Sequence, residues 1–233
     1  VAADPGWQLD TDRGRVRVLV STRADGDFHL TNVEPSLIES RRRALVDRPW
    51  TMLDEVHGAH VVEVIRPGER DRARGDVAIT AATGAALGVW VGDCAPVVLA
   101  DRAGIVATVH AGWRGIAAGV LPAAVSAMGA LGASAPVAFL GPCARPCCYE
   151  FGAVDLDAVE RAVGAGSLRG RTRWGTTSLD VPAAIVASLS SAGVDRCDDL
   201  GVCTHCDDTW FSHRRGESSR HVVVAWIDAE VAR

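Results

Sequence analysis

Lysine is absent: all 24 basic residues of the 233-residue chain are arginine. This excludes a Schiff-base lysine and a phosphate loop built on lysine, so any anion must be held by guanidinium groups, backbone N–H groups or a metal. No basic block is long enough to track a nucleic-acid backbone, and a net charge of −5 argues against nucleic acid as a partner. No apolar run reaches the roughly 20 residues of a membrane-crossing helix. The first ten residues are polar and acidic without a signal-peptide core, so the chain reads as cytoplasmic with no membrane partner. Internal repeats and low-complexity linkers are missing too. With strand signals spread along the whole length, one α+β domain over residues 1–233 is the simplest organisation.

What is present supports a real core, since 48% of residues are hydrophobic. The seven cysteines are odd in number and scattered, which points to free thiols or metal ligands rather than a disulfide scaffold. The rest of the chain is organised around residues 88–119. Its apolar runs 88–91 and 105–109 are short and bounded by Gly or Asp, which favours buried strands over helix. Further strands are expected at 16–21, after His60, and at 76–80, 97–100, 137–140, 202–206 and 221–227. Helices are expected at 36–46, 116–131, 153–163 and 180–192. Ser36 and Glu39 have capping-box spacing at the start of the first helix, and Pro182 suits the first turn of the last. Arg41, Arg42 and Arg43 read as a solvated helix face, and residues 167–177 as a loop.

The two central runs end on Asp93-Cys94 and on His110. If the strands are neighbours, a thiolate and an imidazole meet at one rim. His57 adds a second imidazole, and Gly58 after it allows close backbone approach. Two His and one Cys with an open fourth position form a catalytic zinc pattern, in which bound water is acidified toward neutral pH. Asp93 is then placed to carry a proton. The same residues also make a cysteine hydrolase, with Cys94 as nucleophile and His110 or His57 as base, and spacing does not separate the two schemes. Cys203-Thr204-His205-Cys206 is a C-x-x-C, but a structural zinc needs a second pair. Cys147-Cys148 lacks the usual spacing, so buried thiols are the plainer reading. A multicopper oxidase needs a large His cluster; seven His without one H-x-H pair argue against it.

Several motifs then converge: Val56-His57-Gly58, Gly92-Asp93-Cys94-Ala95-Pro96-Val97, His110-Ala111-Gly112-Trp113-Arg114-Gly115, Gly141-Pro142-Cys143, Cys148-Tyr149-Glu150, Leu179-Asp180, Cys203-Thr204 and Phe211-Ser212-His213-Arg214-Arg215. Over about residues 21–227 the chain resembles the YfiH-like proteins, also called the laccase-domain or multicopper polyphenol oxidase family. The resemblance implies a single α+β domain with mixed β-sheets flanked by helices, and a zinc ion on His57, Cys94 and His110. It also implies purine nucleoside phosphorolysis with adenosine deamination. Copper-dependent phenol oxidation and an amidase activity on peptidoglycan precursors are the alternatives attached to the same family, and a non-enzymatic binding role is the alternative of a different class.

On that basis the substrates are a purine nucleoside and phosphate. Arg41 and one of Arg214 or Arg215 are expected to hold phosphate, and Asp93 or Glu55 to move protons. Trp113 and Tyr149 are expected to stack on the base, with Arg114 in the same substrate-binding set. The chain departs from the family pattern at Glu55, where Gln is usual, and at Ser40, where Asn precedes the helix arginine. It also departs at Asn32-Val33-Glu34, and at His205, where Tyr is usual.

Overall fold

The computed structural model describes residues 2–164 and 166–229. The chain opens with a hairpin of β1 (Gln8–Thr11) and β2 (Gly14–Val20). In β2 the side chains of Val16, Val18 and Val20 are buried while Arg15 and Arg17 are exposed, the period-two pattern of a strand with one face on the core. Helix α1 (Pro35–Leu45) carries Pro35 in its first turn, where a missing N–H costs nothing, and its cap is Glu34 rather than the expected Ser36. Strands β3 (Trp50–Met52), β4 (Val61–Glu63), β5 (Val77–Thr80), β6 (Ala86–Val91), β7 (Ala95–Asp101) and β8 (Ile105–Ala111) follow.

The helix expected over 116–131 is two: α2 (Trp113–Ala117) and α3 (Val120–Ala130). They are divided at Gly119, whose φ of 81° is left-handed and breaks the helical hydrogen-bond ladder. After β9 (Val137–Leu140) and α4 (Ala153–Val163), the expected loop contains a small hairpin, β10 (Arg169–Arg171) and β11 (Thr177–Leu179). Helix α5 (Val181–Ser191) starts at Asp180, whose side chain accepts the Ala183 N–H. Strand β12 is Cys197–Asp199, so the strand expected at 202–206 is corrected; there the chain makes only a single bridge, from Cys203 to Cys143. Strand β13 (His221–Asp228) closes the order.

Two mixed sheets result. One runs β1-β2-β13-β6-β3 and the other β12-β9-β7-β8-β5-β4. Their facing sides share one core: Val18, Val89, Val223 and Ile227 from the first sheet meet Val98, Val106 and Phe139 from the second. The outer face of the second sheet is covered by α2 to α5, through Leu121, Met128, Leu156 and Ile185. The outer face of the first is covered by α1 and its flanking loop, through Phe28 and Ile38. Strands β7 and β8 are therefore buried on both faces, which is why they read as continuous apolar runs rather than alternating ones. Arg42 breaks the expected solvated face of α1: it is buried and makes a two-pronged pair with Asp71.

Candidate active site

Strand register brings the central residues together. Pro96 pairs with His110 and Ala95 with Ala111, so Cys94, one residue before β7, lies at the end of β8 beside His110. His57 reaches the same point from the loop between β3 and β4. One ligand atom from each of His57, Cys94 and His110 lies within 4.8 Å of the others. The Cys94 sulfur is 3.9 Å from His57 Nε2, and the two imidazoles meet edge to face with centroids 4.6 Å apart.

Asp76, the residue before β5, fixes this arrangement. Its carboxylate accepts the backbone N–H groups of His57 and Gly58, each at 2.8 Å, and approaches His110 Nδ1 at 2.9 Å. Burial would raise the Asp76 pKa, but the bonds from His110 and the two backbone donors win and hold it low. With Nδ1 committed to a carboxylate, Nε2 of His110 is the nitrogen left to bind a cation, the arrangement that orients histidine in metal sites. Two residues of the site pay in backbone strain: His57 has a φ of 59° and Asp93 of 109°.

Two further features fit a metal. Gly112 lies against the triad, and a Cβ there would meet His57 Cδ2 at 3.0 Å and the Cys94 sulfur at 3.1 Å. A cysteine ligand must also be a thiolate. Burial works against this at Cys94, but the charge of His110 and hydrogen bonds from both imidazoles pull its pKa down to about 6. Glu55 lies behind His110, with Oε2 3.6 Å from Nδ1 and Oε1 accepting the Trp90 N–H. Burial pushes its carboxyl up to about 8, only partly opposed by His110.

The triad lies in a cleft of about 710 Å³. One wall is aromatic: Trp113 packs edge-on against Phe151, which stacks with Tyr149. The guanidinium of Arg114 lies over the Trp113 ring at 4.3 Å and that of Arg214 over the Tyr149 ring at 4.0 Å. Arg220, His29 and His213 also line the cleft, and none was assigned a role from the sequence, although His213 lies in one of the motifs that carry the resemblance. They come from the loop before α1 and the segment before β13, far from the triad in the chain, and only the fold makes them neighbours. Asp76 was missed for the same reason, although an acidic residue heading a buried strand is a usable signal.

The expected phosphate ligands divide. Arg214 faces the cleft, whereas Arg41 and Arg215 are outside its lining. Arg41 turns to the Asp27 carbonyl. Arg215 donates to the Thr204 and His205 carbonyls and pairs with Glu217. Arg41 and Arg215 hold loops in this structure, and Arg214 is the one of the three that faces the cleft. Asp93 lines the cleft, but Oδ1 accepts the Thr204 hydroxyl at 2.6 Å and Oδ2 the Arg214 N–H at 2.7 Å. Its carboxylate clamps two loops together.

The family model described as multi-copper polyphenol oxidoreductase laccase matches residues 27–228. Over 184 residues the chain is 41% identical to a purine nucleoside phosphorylase of Streptomyces coelicolor, covering 76% of this chain and 74% of that protein. It is 35% identical over 234 residues to a purine nucleoside phosphorylase of Mycobacterium tuberculosis, covering 92% and 93%. The crystal structure of Neisseria meningitidis protein NMB0706 superimposes with a TM-score of 0.81 at 26% identity, over 98% of this chain and 99% of the other.

Proposed function

Since the chain belongs to the multi-copper polyphenol oxidoreductase laccase family, we propose that it is a purine nucleoside phosphorylase, in line with the names of its curated relatives, and that it depends on zinc and also deaminates adenosine. One observation carries the reading: the His57, Cys94 and His110 donors converge in a cleft that also presents three guanidinium groups and an aromatic wall.

For phosphorolysis, Arg114, Arg214 and Arg220 hold the phosphate, since guanidinium forks suit its oxygens and no lysine competes. Trp113 stacks on the purine, and Tyr149, covered by Phe151 and Arg214, completes the aromatic wall beside it. His57, Cys94 and His110 would hold the zinc ion, which would supply water acidified toward neutral pH, the nucleophile that deamination at the purine C6 requires. Asp76 holds the His110 tautomer, and Glu55 moves the proton from beside His110. Asp93 positions Arg214 through its backbone N–H.

Zinc is favoured over copper by the surroundings. A blue-copper set adds a weak axial ligand, Met or else Gln or a backbone oxygen, to two His and a Cys, and the Met form is not available here, since both methionines, Met52 and Met128, are buried in the cores away from the cleft. The decisive experiment combines metal analysis with two assays: phosphate-dependent release of free base from inosine, and conversion of adenosine to inosine. Both activities, lost on chelation and restored by zinc, are the expected result. A zinc-loaded chain inert in both assays removes the reading.

The lowered Cys94 thiol beside two imidazoles favours one second reading, a cysteine nucleophile. It predicts hydrolytic activity that survives complete metal removal and is lost on alkylation of Cys94.

A further inference from the structure

A second group of sulfurs lies outside the triad. Cys147 and Cys148 are in the loop between β9 and α4, and Cys203 and Cys206 in the loop after β12. Spacing along the chain gives no local zinc motif. The fold supplies what spacing does not, because the bridge from Cys143 to Cys203 lays the two loops side by side. The Thr204 N–H donates to the Cys143 carbonyl at 3.1 Å. All four sulfurs then lie within 4.8 Å of one another. Cys147 is 3.7 Å from both Cys203 and Cys206, and Cys148 is 3.2 Å from Cys206.

These separations discriminate between fates. Sulfurs around one ion at the zinc–thiolate distance of about 2.3 Å form a tetrahedron with edges of about 3.8 Å. A disulfide needs about 2.0 Å, and all seven cysteines are free thiols. Arg145 brings a cation to the Cys147 loop, anchored on Asp199 and on the Val202 carbonyl.

We propose that Cys147, Cys148, Cys203 and Cys206 bind one structural zinc ion as four thiolates, separate from the cation of the cleft. Each sulfur gives up its proton to solvent as the ion binds, and no redox step is involved. The ion joins two loops that serve the cleft. Tyr149, which faces it, follows Cys148 directly, and Thr204, between Cys203 and Cys206, holds Asp93. The site therefore positions the aromatic and Arg214 side of the cleft without touching substrate.

The test counts metal on the whole chain, purified without chelator. Elemental analysis of the native chain should give two zinc ions per chain, falling to one in C206S and to one in the H57A/H110A double variant. Cobalt loaded into H57A/H110A should show the intense thiolate-to-cobalt absorption of a tetrathiolate site, which needs no cysteine substitution and reads independently of activity. A folded H57A/H110A protein that holds no zinc overturns the proposal. So does a native mass lower by the two hydrogens of a disulfide. A native chain that carries two zinc ions yet is inert in both assays would overturn the phosphorylase reading and leave this one standing.

Discussion

Asp76 is the residue on which the cleft depends most. It holds the His57 loop by backbone donors and His110 by its ring nitrogen. In D76N the amide retains an acceptor oxygen but loses the charge that favours metal on Nε2. Zinc affinity should fall by about 10–100-fold, the usual effect of losing such a partner, as read by competition with a chromogenic chelator. A second residue-scale prediction concerns His221, which is fully buried with neither ring nitrogen bonded to a partner among the described residues. Burial drives its pKa down to about 3, against a weaker contribution from the Pro142 backbone. The unfolded chain titrates near 6.5, so between those values it binds a proton that the folded chain does not. Stability from this residue is complete above about pH 6.5 and is lost as pH falls toward 3, by up to ~1.4 kcal/mol per pH unit. Urea midpoints of H221F should be flatter than the native chain's between pH 6.5 and 5. An equal slope in the two proteins would refute the assignment.

Elements were legible where burial leaves a strong imprint. β7, β8 and β13 are buried on both faces, so their apolar runs identify them without reference to partners. The β10–β11 hairpin is three residues a side and exposes Arg169 and Arg171, so no hydrophobic pattern marks it. The break between α2 and α3 was hidden because Gly119 lies among alanines and glycines that fit a helix in composition, while only its left-handed φ ends one. At the start of α1, the turn residue Pro35 outweighed the hydroxyl of Ser36. At α5 Pro182 sits in the first turn, as its position in the sequence suggested, while the cap itself, Asp180, was read only as part of the helix. Asp180 satisfies an otherwise unpaired N–H there, so D180A should lower unfolding free energy by about 1 kcal/mol without changing metal content, measured by urea denaturation and elemental analysis. An unchanged midpoint would show the cap to be redundant.

For the whole molecule, the cleft collects side chains from positions 29 to 220, and this is the part that residue spacing could not disclose. His57, Cys94 and His110 were recognisable because each lies in a short motif. Which arginines line the cleft was not, because charge alone does not separate Arg41 and Arg215 from Arg214 and Arg220, and Arg220 too donates to backbone carbonyls, those of Glu217, Ser218 and Ser219. A metal held by the folded chain alone stabilises the whole of it. At free zinc 100-fold above the dissociation constant the gain is ~2.7 kcal/mol. For a chain of this size that corresponds to a rise in Tm of roughly 5–10 °C. Differential scanning calorimetry with and without chelator should show that interval, and an unchanged Tm would count against a tightly held ion.

β13 lies between β2 and β6, although it is the last strand among the described residues. During translation, the strands on either side of it leave the ribosome long before the one that must be inserted between them. The nascent chain therefore carries a split sheet, with two inner edges open to chaperones or to other chains. Messages cut short before residue 221 should yield protein that aggregates or is degraded, rather than a stable fragment with half a fold.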